Sequence, residues 1–185
     1  MSMPGSVKPM DDIEKGFLKI AEKIDALQKE SKTLSEKIKA NDAKLLERMA
    51  RSAEPVVLEV GLKMLKKGKQ DTKGELYHPQ YYNEKMIILG KTDAVSGRPD
   101  NPAIPVTDQF LVLSEDGSFY ELMYSFDGFL TDSYLNRIEA RQAIDQYGYD
   151  VMFMLYRALA DYLKAEEELI AALDKVIGYV FARKS

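Results

Sequence analysis

The chain has no cysteine, no tryptophan and a single histidine. Without thiols there can be no disulfide, no thiolate-bound metal and no cysteine nucleophile. With one histidine, a site built from several imidazoles is excluded, and only one side chain has an unperturbed pKa near neutrality. Long hydrophobic runs are missing too. The densest apolar stretch, "VMFMLY", falls far short of a membrane span, and the opening "MSMPGSVKPMDD" lacks the apolar core of a signal peptide. A soluble cytoplasmic protein with no membrane partner is the expectation. Lysines 63, 66, 67, 69 and 73 flank Gly68 and Gly74 without forming a phosphate-binding loop, and the acidic residues from Asp93 to Asp132 lack the alternate-position ligands of an EF-hand. Neither a cofactor nor a bound metal is expected; those carboxylates read as turn and solvent-facing groups.

The 185 residues carry a net charge of −4 that is unevenly spread. Residues 1–91 hold 18 basic against 14 acidic residues, so +4, and residues 92–185 hold 8 against 16, so −8. The second half would repel a phosphate backbone, and along the chain no aromatic residues alternate with the lysines of the first half. Nucleic acid is therefore not expected as a partner.

The strongest periodicity begins at Ile13. Ile13, Phe17, Ile20, Ile24, Leu27, Ser31, Leu34, Ile38, Asn41, Leu45 and Arg48 recur in steps of four and three, a heptad seam about five repeats long. Ile24 and Ile38 with Leu27 and Leu34 match the pattern that favours a dimer, and Lys37 with Asp42 is the one convincing flanking ion pair. A seam of Ile13, Phe17, Ile20, Ile24, Leu27, Leu34, Ile38 and Leu45 cannot be covered by its own helix, so a partner helix is required. At the other end, "DVMFMLYRALADYLKAEEELIAALDKVIGYVFAR" reads as a long helix capped by Asp150, with an apolar stripe wider than a two-position seam. A shorter helix before it is expected to open on Asn136 and Glu139 as a capping box and to stop at Gly148.

Strand chemistry lies between. "FLVLSEDGSFYELMY" reads as a hairpin through Asp116-Gly117, a second Asp-Gly at 127–128 precedes a further strand, and "KMIILGK" is another. "PVVLEVGLKML", residues 55–65, fits either strand or helix; its β-branched residues and interior Gly61 favour strand. "SGRPDNPAIP" is a loop, since three prolines in eight residues cannot sit in a ladder. The fold class is α+β: a long N-terminal heptad helix, a small antiparallel sheet of about four to five strands, and a C-terminal helix pair ending in a long amphipathic helix. The divisions expected are a disordered stretch over 1–10, a helical arm over 11–52, a tyrosine-rich acidic sheet module over 53–135 and helices over 136–185. The order of long helix, sheet and long helix resembles the architecture of prefoldin-type chaperones, in which paired terminal helices project from a β platform. No motif ties the chain to that family, and the C-terminal stripe is broad for a freely projecting helix.

His78 lies in "YHPQYY", where Pro79 biases it toward extended backbone in a loop. It reads as a packing residue stacked on Tyr77 or Tyr81. The alternative makes it the general base of a small enzyme or ligand-binding domain, oriented by Asp93 or Asp108 with a tyrosine as acid. Six tyrosines, Tyr77, Tyr81, Tyr82, Tyr120, Tyr124 and Tyr134, fall in or beside the strand region, more than a core requires. Tyr77, His78, Tyr81, Tyr82, Tyr120 and Tyr124 are the candidate binding residues, and no catalytic residue is assigned. The function that fits best is an oligomeric scaffold or adaptor, a self-associating dimer through its helices, which meets another protein through an aromatic, acidic sheet surface.

Overall fold

A computed structural model of the chain describes residues 11–182. The expected disorder over 1–10 lies outside the described residues. The chain divides into two units, residues up to Asn41 and residues from Asp42 onward. Helix α1, Asp12–Val60, supplies all the described structure of the first unit apart from Asp11. Within that unit the seam is open to solvent, with Ile13 79%, Phe17 70%, Leu27 55% and Ile38 54% exposed. Ion pairs Lys15–Asp12 and Lys29–Asp25 run along the helix surface at i,i+3 and i,i+4 spacing.

In the second unit α1 changes character. Ala43, Leu46, Ala50, Ala53 and Val57 are buried at helical spacing, and the three alanines let the helix axis lie close to its neighbours. Helix α1 continues through Pro55, whose ring lies exposed, to Val60, beyond the boundary expected at residue 52. Residues 55–60 are therefore helix and not strand, and strand β1, Leu62–Gln70, begins only after Gly61. The junction needs glycine. A Cβ at position 61 would meet the Val57 carbonyl oxygen at 2.3 Å and the Lys85 Cβ at 3.0 Å.

Strands β1, β2 (Leu76–Thr92), β3 (Asp108–Ser114), β4 (Phe119–Phe126) and β5 (Leu130–Ile138) form an antiparallel meander that closes into a barrel. Closure rests on the pairs Lys67 with Asp132, Gly68 with Thr131 and Lys69 with Leu130. The long β2 serves two neighbours in turn, β1 over its first part and β3 from Met86 onward. "YHPQYY" is thus strand and not loop. The hairpin at Gly117 (φ 74°) and the turn at Gly128 (φ 99°) form where the Asp-Gly pairs indicate, each glycine taking a positive φ that other residues disfavour. "SGRPDNPAIP" is irregular, as its prolines require.

Two apolar layers result from the strand alternation. One face of the sheet, through Leu89, Leu111, Leu113, Phe119 and Ile138, packs under α1, under α2 (Ala140–Tyr147) and under the start of α3 (Asp150–Ala182) through Val151 and Leu155. The opposite face turns into the barrel and buries Met86, Val112 and Leu122, with Met64, Phe110 and Leu135 around them. Helix α2 starts three residues later than the expected capping box. Glu139 is its N-cap, the Glu139 amide donates to Gln142 Oε1 at 2.8 Å, and Asn136 belongs to β5.

Candidate functional site

The candidate tyrosines do not share one surface. Tyr82, Tyr120 and Tyr124 pack into the barrel interior against Met86, Val112 and Leu122. The Tyr82 hydroxyl lies 3.1 Å from Ser133 Oγ, and Ser133 Oγ donates to the Leu65 and Lys66 carbonyls, each at 2.9 Å. That hydroxyl joins β5 to β1 above the short run of backbone pairs. Tyr124 meets Phe110 edge to face at 6.2 Å, and burial pushes its hydroxyl up to about 12. Tyr134, on the outward face of β5, lies under the Arg98 guanidinium at 5.5 Å.

Tyr77, Tyr81 and His78 stay outside. Tyr77 and Tyr81 are 45% and 49% exposed, and their cross-strand partners are Lys69 and Leu65. Beside them is an open cavity of about 680 Å3 lined by Lys69, Gln70, Asp71, Thr72, Tyr77, His78, Phe129 and Leu130. The β1–β2 turn forms one wall. Asp71 Oδ1 accepts from the Lys73 and Glu75 amides at 2.8 and 2.9 Å, hydrogen bonds that hold its carboxyl below the usual range. The Tyr77 hydroxyl lies 2.9 Å from Glu75 Oε2 and 3.2 Å from Asp71 Oδ2, and donating to carboxylates raises its pKa. His78 has φ 50°, the one non-glycine residue with positive φ among those described. The cause is register: three residues of β2, from Gln80 back to His78, are taken up before Tyr77 pairs with Lys69, against two on β1.

Asp93 and Asp108 do not join His78. His78 stands near the start of β2 and Asp93 just beyond its end. That is a strand contour of roughly 50 Å at about 3.3 Å per residue. Asp108 pairs instead with Lys91. Of the other carboxylates, Asp116 accepts from the Ser118 amide at 3.0 Å and Asp127 from the Phe129 and Leu130 amides at 3.0 and 2.7 Å. The exposed aromatic rim is consequently bordered by the lysines of β1 and by Asp71 and Glu75 of the β1–β2 turn, while the acidic residues from Asp93 to Asp132 hold turns and ion pairs.

Two buried side chains of charged type, among the described residues, were not among the candidate site residues read from the sequence. Arg98, 6% exposed, anchors the 93–107 loop: Nε and Nη2 bond Asp100 at 2.9 and 2.6 Å, and Nη1 bonds Asp132 at 2.8 Å. Its isolation as the sole cation amid those acidic residues was the available signal. Glu121, 4% exposed, accepts from Tyr147 at 2.6 Å, Gln146 at 2.7 Å, Asn136 at 2.9 Å and Gln109 at 3.3 Å. All four donors are neutral. A glutamate in the centre of the apolar "FYELMY" was its signal, since such a charge persists in a core only if hydrogen-bonded.

Helix α3 leaves its core contacts after Leu159. Leu163, Leu169, Ile170, Leu173, Val176, Ile177 and Val180 are between 47% and 60% exposed. Among the described residues no helix is long and apolar enough to cross a membrane. No family model, no curated protein and no solved structure matches this chain.

Proposed function

We propose that the chain is an oligomeric scaffold protein, which assembles with copies of itself through its long helices and presents the barrel rim to another protein. The observations that carry this reading are two: the exposed apolar face of α3 from Leu163 to Val180 and, in the other unit, the exposed α1 seam from Ile13 to Ile38. Fully burying a large aliphatic side chain stabilises by about 1.5–3 kcal/mol, so leaving two such stripes in water forgoes a large driving force. Helix pairing recovers it, and the heptad spacing of the α1 seam is the geometry in which helices pair.

Light scattering over a wide concentration range tests this. The expected mass is a multiple of the chain mass, and a monomer mass up to high micromolar concentration would refute the reading. Leu27→Asp and Leu173→Asp should each shift the equilibrium toward monomer, because a charge in a dry seam costs several kcal/mol, on the order of 3–5. Asp116→Ala, in a solvent-exposed turn, should leave the mass unchanged.

A further inference from the structure

The β1 sequence LKMLKKGKQ contains four lysines and no acid. Lys63, Lys66, Lys67 and Lys69 are all exposed, and none forms an ion pair among the described residues. In a protein of net charge −4, this strand is a run of exposed cations without ion-pair partners: Asp132, opposite Lys67, is held by Arg98, and Asp71 and Glu75 are held by the Tyr77 hydroxyl at one end. At the same end the run meets apolar surface. Phe129, 69% exposed, borders the cavity shared with Tyr77 and His78, and the bond from the Gln70 amide to the Phe129 carbonyl at 2.6 Å fixes this turn against β1. The volume of about 680 Å3 lies within the range of specific binding pockets, and exposed aromatic residues are the typical anchors of an interface.

We infer that this ribbon and cavity form the docking site for an acidic linear segment of another protein, with a large apolar side chain seated between Tyr77 and Phe129 and carboxylates set along the lysines of β1. The inference rests on the scaffold reading and names its partner's chemistry. Charge complementarity selects the occupant. Lys67 and Lys69 lie two residues apart on the strand, about 6.7 Å, the repeat of same-face carboxylates on an extended peptide. Strand addition is not the mode. Among the described residues the first part of β2 has no strand on its outer edge, but the left-handed His78 and the missing amide of Pro79 interrupt that edge. Recognition therefore runs through side chains. A nucleic acid fits less well, because Asp71 and Glu75 hold the Tyr77 hydroxyl at the end where a stacked base would bring its phosphate. A peptide can place a neutral residue there.

Fluorescence anisotropy with the full chain tests the site, using a labelled synthetic peptide that carries one phenylalanine followed by alternating glutamates. The peptide should bind, and added salt should weaken it. Replacing its phenylalanine by serine, or the protein's Phe129→Ser, should weaken binding about tenfold or more, and the double change Lys67→Glu, Lys69→Glu should do the same. No binding at millimolar protein, or affinity unchanged by these surface substitutions, would overturn the inference. Tighter binding of an oligothymidine at equal salt would overturn it in favour of a nucleic-acid surface. Circular dichroism confirms that the variants fold. Failure of the scaffold reading is read separately: the ribbon variants should keep the oligomeric mass, and Leu173→Asp should keep peptide affinity.

Discussion

At His78 a single backbone angle carries more information than the side chain. A φ of 50° is tolerated by histidine better than by β-branched residues, whose Cβ substituents clash with the backbone there. His78→Val should lower stability by about 1–2 kcal/mol in a urea titration, while His78→Gly should stay within about 0.5 kcal/mol of the native protein. Equal losses for both would show that the ring's contacts matter and the backbone strain does not. Pro79 makes extended backbone the natural reading from sequence. The bulge that overrides it exists only because β2 is registered against Leu65 and Lys69 of another strand.

Elements expose the limits of pattern more clearly. The two Asp-Gly turns are legible because a turn is settled by its own residues. The start of α2 is not, because Asn136-x-x-Glu139 and Glu139-x-x-Gln142 both suit a helix entry, and the pairing of β5 with β4 as far as Ile138 with Phe119 selects the second. What holds α2 to the sheet is also non-local: Gln146 and Tyr147 both donate to the buried Glu121. Tyr147→Phe removes one donor from a desolvated carboxylate and should cost about 1–3 kcal/mol. Hydrogen exchange should place the resulting loosening first at α2 amides. Uniformly faster exchange throughout the barrel would mean that α2 does not open as a separate unit.

For the whole molecule, stability should fall at both extremes of pH. Hydrogen bonds from backbone amides depress Asp71 and Asp127, and the Arg98 guanidinium depresses Asp100. The unfolded chain then binds more protons than the native one below about pH 4, so stability present above that value is lost as pH falls through the depressed native values. Burial raises Tyr82, Tyr124 and Tyr147. Here the native chain holds the extra protons, so stability is full below about pH 10 and declines as pH climbs toward the native value of about 12 for Tyr124. Phenolate absorbance followed alongside circular dichroism checks the alkaline limb. These tyrosines should ionise only as the far-ultraviolet signal is lost, and smooth ionisation near pH 10 with the fold intact would contradict their burial.

By itself the sequence determined what neighbouring residues decide among themselves: the heptad seam of α1, the glycine turns at 117 and 128, the proline-rich loop, the long amphipathic α3 and the α+β class. Those features depend on spacing, φ preference and missing amides, which act over a few residues. Tertiary structure alone decided that the strands close into a barrel, since closure joins Lys67 to Asp132 and Ser133 to Leu65 across more than sixty residues. Closure in turn divided the tyrosines, sending Tyr82, Tyr120 and Tyr124 inward and leaving Tyr77 opposite Lys69 and Tyr81 opposite Leu65, neighbours that no linear pattern gives them. It also gave Arg98 and Glu121 the partners that make their burial affordable. A charge leaves water only where enough partners converge on it. For Arg98 the local Asp100 is joined by Asp132, while for Glu121 all four donors come from elsewhere in the chain, a convergence that exists in space before it can be read along a chain.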